Sequence, residues 1–249
     1  MSSTEQTSST WVRRFHPRTD PQARLVCLAH AGGSASYFHP VSRMVAPARE
    51  VLAVQYPGRQ DRRHEPCVES VPELADIIAA ELVPWLDRPL YLFGHSLGAS
   101  VAFEVACRLE ARGAGPAGLF VSGRRAPSQV RTETVHQLDD DGVLAEMRRL
   151  NGSDSRILDD DEMLRVILPA LRSDYRAAET YRAEAGATVT VPIHAHVGLQ
   201  DPRVTVDEVR AWREHTTGDF DLTTYEGGHF YLNDHAPRLV RSIEAAMSS

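Results

Sequence analysis

Leu90-Tyr-Leu-Phe-Gly94-His95-Ser96-Leu97-Gly98 runs from an apolar strand into a helix through a single serine. Leu90 to Gly94 has the length and apolar character of a buried strand. After Ser96, the positions Ala99, Ala102, Phe103, Ala106 and Leu109 form one apolar helix face, and Gly113 ends it. The pattern is Gly-x-Ser-x-Gly, set between strand and helix, where a sharp strained turn lifts a nucleophile off a sheet. Glycines on both sides of Ser96 remove Cβ atoms that would collide there. The helix N-terminus directs partial positive charge at the same point. The plain alternative is a structural strand–helix turn.

The same alternation continues on both sides. Short apolar runs predict strands at 24–29, 51–55, 118–122, 192–198 and 220–225. Between them, Ser70 and Glu73 form a capping box ahead of Leu74, Ile77, Ile78, Leu82 and Trp85. Further helices are expected over 204–216 and 236–247. Strands alternating with helices imply an α/β chain with a mostly parallel, doubly wound sheet.

From about 126 to 188 no strand pattern appears. Asp139–Asp141 precede a short helix that stops near Asn151-Gly152. Asp159 and Glu162 cap a second, with Met163, Val166, Ile167, Ala170 and Leu171 on its apolar face and a kink expected at Pro169. Leu164 and Leu168 widen that face. The insertion reads as a helical lid over the sheet, or as ordinary helical packing.

A serine hydroxyl needs a base to take its proton. Among 11 histidines, His229 is best placed, in the glycine-rich Glu226-Gly-Gly-His229-Phe230 after the last strand. An acid is expected at a strand's carboxyl end between Ser96 and His229. Asp201, in Gly198-Leu-Gln-Asp201-Pro202, fits. Asp207 falls inside a helix, and Asp219 and Asp221 sit at the wrong end of a strand. The bland reading of Asp201 is a helix cap, and of His229 a surface loop residue. Tetrahedral oxyanion chemistry also needs two backbone donors. Leu97 N–H is one candidate. Ala31 N–H, in His30-Ala31-Gly32-Gly33, is the other.

Other chemistry-bearing residues receive plain readings. His95 fills the variable slot beside Ser96, and His30 shapes its turn. His194 and His196 share one strand face as buried, hydrogen-bonded residues rather than metal ligands. Arg124-Arg125 reads as surface charge, with a phosphate contact as the alternative.

The 249 residues are 42% hydrophobic and 24% charged, enough for one large core. A formal charge of -7 weighs against nucleic-acid binding. No apolar run is long enough for a membrane helix. The Ser/Thr-rich N-terminus is no secretory signal and reads as a disordered tail over 1–12, with a single domain over 13–249. Three scattered cysteines show neither metal spacing nor a disulfide framework and suit a reducing cytoplasm.

Taken in order, His30-Ala-Gly-Gly33, Tyr56-Pro-Gly-Arg-Gln-Asp-Arg62, Gly94-His-Ser-Leu-Gly98, Ser122-Gly-Arg-Arg-Ala-Pro127, Asp201-Pro202 and Gly227-Gly-His-Phe230 resemble the type II thioesterases. These are discrete editing enzymes of polyketide and nonribosomal peptide synthesis within the α/β-hydrolase superfamily. The likeness runs from about Arg13 to the C-terminus. It implies an α/β-hydrolase fold with a mobile helical lid over an acyl chamber. It implies Ser96, Asp201 and His229 as triad, with Ala31 and Leu97 as oxyanion donors. The substrate it implies is an acyl thioester on the phosphopantetheine arm of an acyl or peptidyl carrier protein, met transiently by a monomer. No metal or resident cofactor is expected. Thioesterase domains built into polyketide synthases are less similar, since their acid commonly follows the strand before the lid, here Ser122-Gly123-Arg124. Two other readings use the same residues: a general carboxylesterase or lipase-like hydrolase, and a non-catalytic relative that binds a ligand.

Overall fold

Each apolar run expected to be a strand forms one, and a further strand joins them. The computed structural model describes residues 9–151 and 161–248. In chain order its elements are β1 (Val12–Arg13), β2 (Ala23–Leu28), α1 (His39–Met44), β3 (Arg49–Val54), α2 (Val71–Glu81), β4 (Leu90–His95), α3 (Leu97–Ala111), β5 (Gly118–Ser122), α4 (Asp140–Asn151), α5 (Asp161–Thr180), β6 (Ile193–Gly198), α6 (Val206–Arg210), β7 (Phe220–Tyr225), α7 (Tyr231–Asp234) and α8 (Ala236–Ala246). The sheet order is β1-β3-β2-β4-β5-β6-β7. All neighbours pair in parallel except β1 on β3.

Burial follows position in the sheet. Every residue of β2 and of β5 is buried, as expected of strands covered on both faces. The edge strand β7 is only partly covered. The chain passes from β2 out to β3, then returns across β2 to β4. That reversal opens a crevice at the carboxyl ends of β2 and β4, where open α/β sheets place ligands. The same sheet edge receives the loops after β6 and β7.

Several boundaries differ from expectation. The sequence places the tail's end at residue 12, but Trp11 and Val12 are buried and Val12 pairs with Val54. The Arg62 guanidinium lies 4.2 Å from the Trp11 ring centroid, an attraction that helps hold this edge. A two-residue strand is too short for periodicity to reveal. Residues 1–8 lie outside the described residues. The helix expected over 204–216 is α6 followed by a 3-10 turn, Ala211–His215. Leu82 and Trp85 fall beyond α2, because Pro84 turns the chain into a 3-10 segment, Val83–Trp85. Helix α1 carried no signal strong enough to be expected.

Among the described residues between β5 and β6 the chain is helical. Val143 and Leu144 of α4 pack with Leu168, Leu171 and Tyr175 of α5 in a small core of their own. The far end of α5 is different: Ala177 and Ala178 belong to the main core. Pro169 lies inside α5, which continues through it. Gly152 and Asp159 lie outside the described residues, as do the side chains of Glu162, Met163 and Leu164.

Candidate active site

Ser96 sits between β4 and α3 with φ 55° and ψ -118°, one of two non-glycine residues with positive φ among those described. Such a conformation persists only where its surroundings enforce it. The flanking glycines show how. A Cβ on Gly94 would lie 2.1 Å from the Gly98 carbonyl oxygen, and one on Gly98 would lie 2.1 Å from the Leu28 carbonyl oxygen. Strand β2, strand β4 and the start of α3 approach too closely for any side chain. The Ser96 N–H donates to the Ser122 carbonyl at 2.8 Å, tying the turn to β5. Gly98→Ala is therefore expected to cost at least about 3 kcal/mol of stability, at the upper end of ordinary overpacking. Urea denaturation of the purified variant reads this; an unchanged midpoint would contradict the close approach.

The loops after β6 and β7 bring Asp201 and His229 together. Gly198 permits it, since its Cβ would fall 2.3 Å from the Gly228 carbonyl oxygen. The Gln200 N–H donates to the Gly227 carbonyl at 2.9 Å, and the Gly227 N–H returns a bond to Gln200 Oε1 at 2.5 Å. His229 Nδ1–H donates to Asp201 Oδ2 at 2.8 Å. A carboxylate only accepts, so this contact places the ring proton on Nδ1 and leaves Nε2 free to take one. The Asp201 carboxylate is fully buried and accepts a second bond, from the Arg203 N–H at 2.8 Å. The capping reading of Asp201 fails, because Thr205 caps α6 in a complete capping box with Glu208.

Ser96, Leu97, Ala31 and His229 line one cavity of about 800 Å³. Among the described residues, Ser96 makes no hydrogen bond to His229. In ligand-free sites such hydrogen bonds often form only once substrate is bound. The Ala31 and Leu97 N–H groups have no acceptor among the described residues. Leu97 opens α3, where an N–H has no partner within its own helix. The cavity's apolar wall comes from the helices between β5 and β6: Met147 and Leu150 of α4, with Ile167 and Leu171 of α5. Ser34, Ser36, Gln60 and Asn233 line it with polar groups.

Two further histidines, His95 and His30, pack beside this site. His95 is fully buried, and its Nδ1 shares a hydrogen bond with Ser122 Oγ at 2.9 Å. Ser122 Oγ in turn meets the Tyr231 hydroxyl at 2.6 Å. His30 packs edge-on against Tyr37, His95 and Phe230. Burial, then the neighbouring His229, holds His95 well below the ordinary histidine range. Burial, followed by His229 and Arg59, pushes His30 down to about 3. Both rings therefore stay neutral beside His229 at neutral pH. Gly123, with φ +58°, faces His95 and His229; a Cβ there would lie 2.7 Å from the His95 ring.

Two plain readings are corrected. Arg124 and Arg125 are not surface charge. Arg124 donates to Ser100 Oγ at 3.0 Å and to the Ala178 carbonyl at 2.7 Å, joining α3 to α5. Burial, then Arg125, lowers its guanidinium to about 10. Arg125 is buried and pairs with Glu133. His194 and His196 do share a face, both stacking on Phe120, but only His196 is buried. His194 reaches the edge of the sheet and pairs with Asp221 there. The sequence reading gave no role to Arg59, Asp174, Tyr231 or Arg203, whose partners lie far away in the chain.

The chain matches the family model described as a thioesterase domain over residues 23–247. It is 59% identical over 238 residues to thioesterase PikA5 of Streptomyces venezuelae, spanning 95% of this chain and 85% of that one. It is 34% identical over 224 residues to the gramicidin S biosynthesis protein GrsT of Aneurinibacillus migulanus, spanning 89% and 88%. Among solved structures, the type II thioesterase BorB from the borrelidin biosynthetic cluster superposes with a TM-score of 0.91 at 48% identity, covering 96% of this chain and 98% of that one. With this fold, this cavity and these relatives, the chain belongs to the thioesterase family, among the type II thioesterases, and is an α/β-hydrolase acting on thioesters.

Proposed function

We propose that the protein removes acyl groups from the phosphopantetheine arm of an acyl or peptidyl carrier protein, editing a polyketide or nonribosomal peptide synthase through an acyl-enzyme. One observation carries the proposal. Ser96, the Asp201–His229 pair and two N–H groups with no acceptor among the described residues meet at one cavity under α4 and α5. In the first step Ser96 Oγ attacks the thioester carbonyl carbon while His229 Nε2 takes its proton. Asp201 holds the ring in that tautomer and stabilises the imidazolium. The Ala31 and Leu97 N–H groups bind the oxyanion. The carbon–sulfur bond breaks, and the phosphopantetheine thiolate leaves with the proton from His229. In the second step water attacks the Ser96 ester, His229 takes and returns a proton, and free acid departs.

These steps need no metal and no resident cofactor. The cavity volume, in the range that holds drug-sized ligands, suits an acyl chain lying against the apolar lid. Three free cysteines, Cys27, Cys67 and Cys107, favour a cytoplasmic setting, and the carrier is met transiently. Among the described residues no helix is long and apolar enough to cross a membrane. The deciding experiment compares kcat/KM for one acyl group on a carrier-protein thioester and on a simple oxygen ester. Preference for the carrier thioester is expected. Preference for the oxygen ester would assign the site to a general carboxylesterase instead.

A further inference from the structure

His30-Ala31-Gly32-Gly33 forms a tight turn, in which the Gly33 N–H donates to the His30 carbonyl at 2.9 Å. Gly32 takes φ +75°, as the third residue of a type II turn requires. The bond to the His30 carbonyl orients the peptide that also carries the Ala31 N–H. Since C=O and N–H of a trans peptide point in opposite directions, Ala31 N–H faces away from the turn. The next peptide is held from outside. Its Gly32 N–H donates to Asp174 Oδ2 at 2.8 Å.

Asp174 belongs to α5, 142 residues further along the chain, and is 1% exposed. Arg59 grips it with both guanidinium nitrogens, Nη1 to Oδ2 at 2.6 Å and Nη2 to Oδ1 at 2.9 Å. The same Nη1 donates to the Gly33 carbonyl at 3.0 Å. The buried pair thus holds the turn at its third residue through the acid and at its fourth through the base. Leu171, one helical turn before Asp174, lies against Gly32, where a Cβ would be 2.9 Å from its Cδ1. Stability alone gives little reason for such a pair, because apolar residues of similar volume often serve as well.

We infer that Asp174, locked by Arg59, is a positioning residue that aims the Ala31 N–H at the oxyanion, so that helix α5 of the lid completes the hole from the far side. The inference rests on the acyl-enzyme reading above and adds two residues to it. It also divides the insertion. The Asp174 end of α5 belongs to the catalytic scaffold, while α4 and the start of α5 cover the acyl chain.

The test removes both charges together, in Arg59→Met/Asp174→Leu, so that no lone buried charge remains. Two readouts are taken: kcat and KM on an acyl N-acetylcysteamine thioester, and Ki for an alkyl boronic acid, which forms a tetrahedral adduct on the nucleophile. A displacement of the turn by about 1 Å is expected to lower kcat on the order of 100-fold with KM little changed. Boronate affinity should fall by a similar factor, with melting well above the assay temperature. Arg59→Lys, which keeps the charge but not the fork, should fall between. Unchanged kcat and boronate affinity in a folded double variant would overturn the inference and leave the acyl-enzyme reading standing. If the double variant does not fold, Asp174→Asn decides on the same two readouts. Turnover by Ser96→Ala would overturn the reading itself, and this inference with it.

Discussion

Ser96→Ala is expected to lower thioester hydrolysis on the order of a million-fold, leaving a folded protein. The size follows from the scheme. Without the hydroxyl no acyl-enzyme forms, and His229 has no proton to accept from a nucleophile. What remains is binding and oxyanion stabilisation of a direct attack by water. Alanine and serine share the Cβ that must fit at φ 55°, so the strained turn keeps its geometry and the melting temperature should hold. Steady-state hydrolysis of a carrier-bound thioester measures the loss. Labelling by a fluorophosphonate probe should vanish in parallel. A variant that stays within tenfold of wild type would point to another nucleophile.

The second large effect belongs to Asp201→Asn, expected to lower kcat about ten-thousand-fold. An asparagine fills the same space and can keep the bond from the Arg203 N–H through its oxygen. Its amide N–H₂, however, faces the His229 ring as a donor. The ring then turns its lone pair toward the introduced amide and carries its proton on Nε2, the nitrogen that should serve as base. The fold is kept while the tautomer is wrong. Because ground-state contacts of the acyl chain are untouched, KM should change little. Hydrolysis kinetics at neutral pH, with circular dichroism as the folding check, read both parts. A tenfold loss or less would mean that the Asp201–His229 bond seen here only braces two loops.

Much of this site is local in the chain. The strand, the Gly-x-Ser-x-Gly turn and the helix behind it occupy a single stretch, so their steric logic is readable without a partner. The Gly94 and Gly98 approaches bear out that reading at 2.1 Å from backbone oxygens. Strand runs were equally legible, because parallel strands covered on both faces are continuously apolar. Choosing Asp201 and His229 needed the rule that functional loops leave the carboxyl ends of strands, together with the chain order of serine, acid and histidine. Where those clues were thin, the reading slipped. The strand at Val12–Arg13 is too short to show a period, and Arg124-Arg125 has the composition of a solvated surface although Arg124 bridges α3 and α5 and Arg125 is buried.

By itself, then, the order of residues determined the layered α/β architecture, the strained serine turn and the choice of Asp201 and His229, which meet in a hydrogen bond, since each depends on spacing within a segment or on chain order. Only the tertiary structure decided that Asp174 of α5 meets Arg59 and the Gly32 N–H, that Ser122 and Tyr231 stand behind His95, and that the far end of α5 is anchored in the core. The physical reason is range. Hydrophobic periodicity and turn chemistry act between near neighbours, whereas a buried ion pair or a hydrogen bond between distant loops exists only once the sheet has brought its ends together, and an isolated arginine or aspartate carries no mark of the partner it will find.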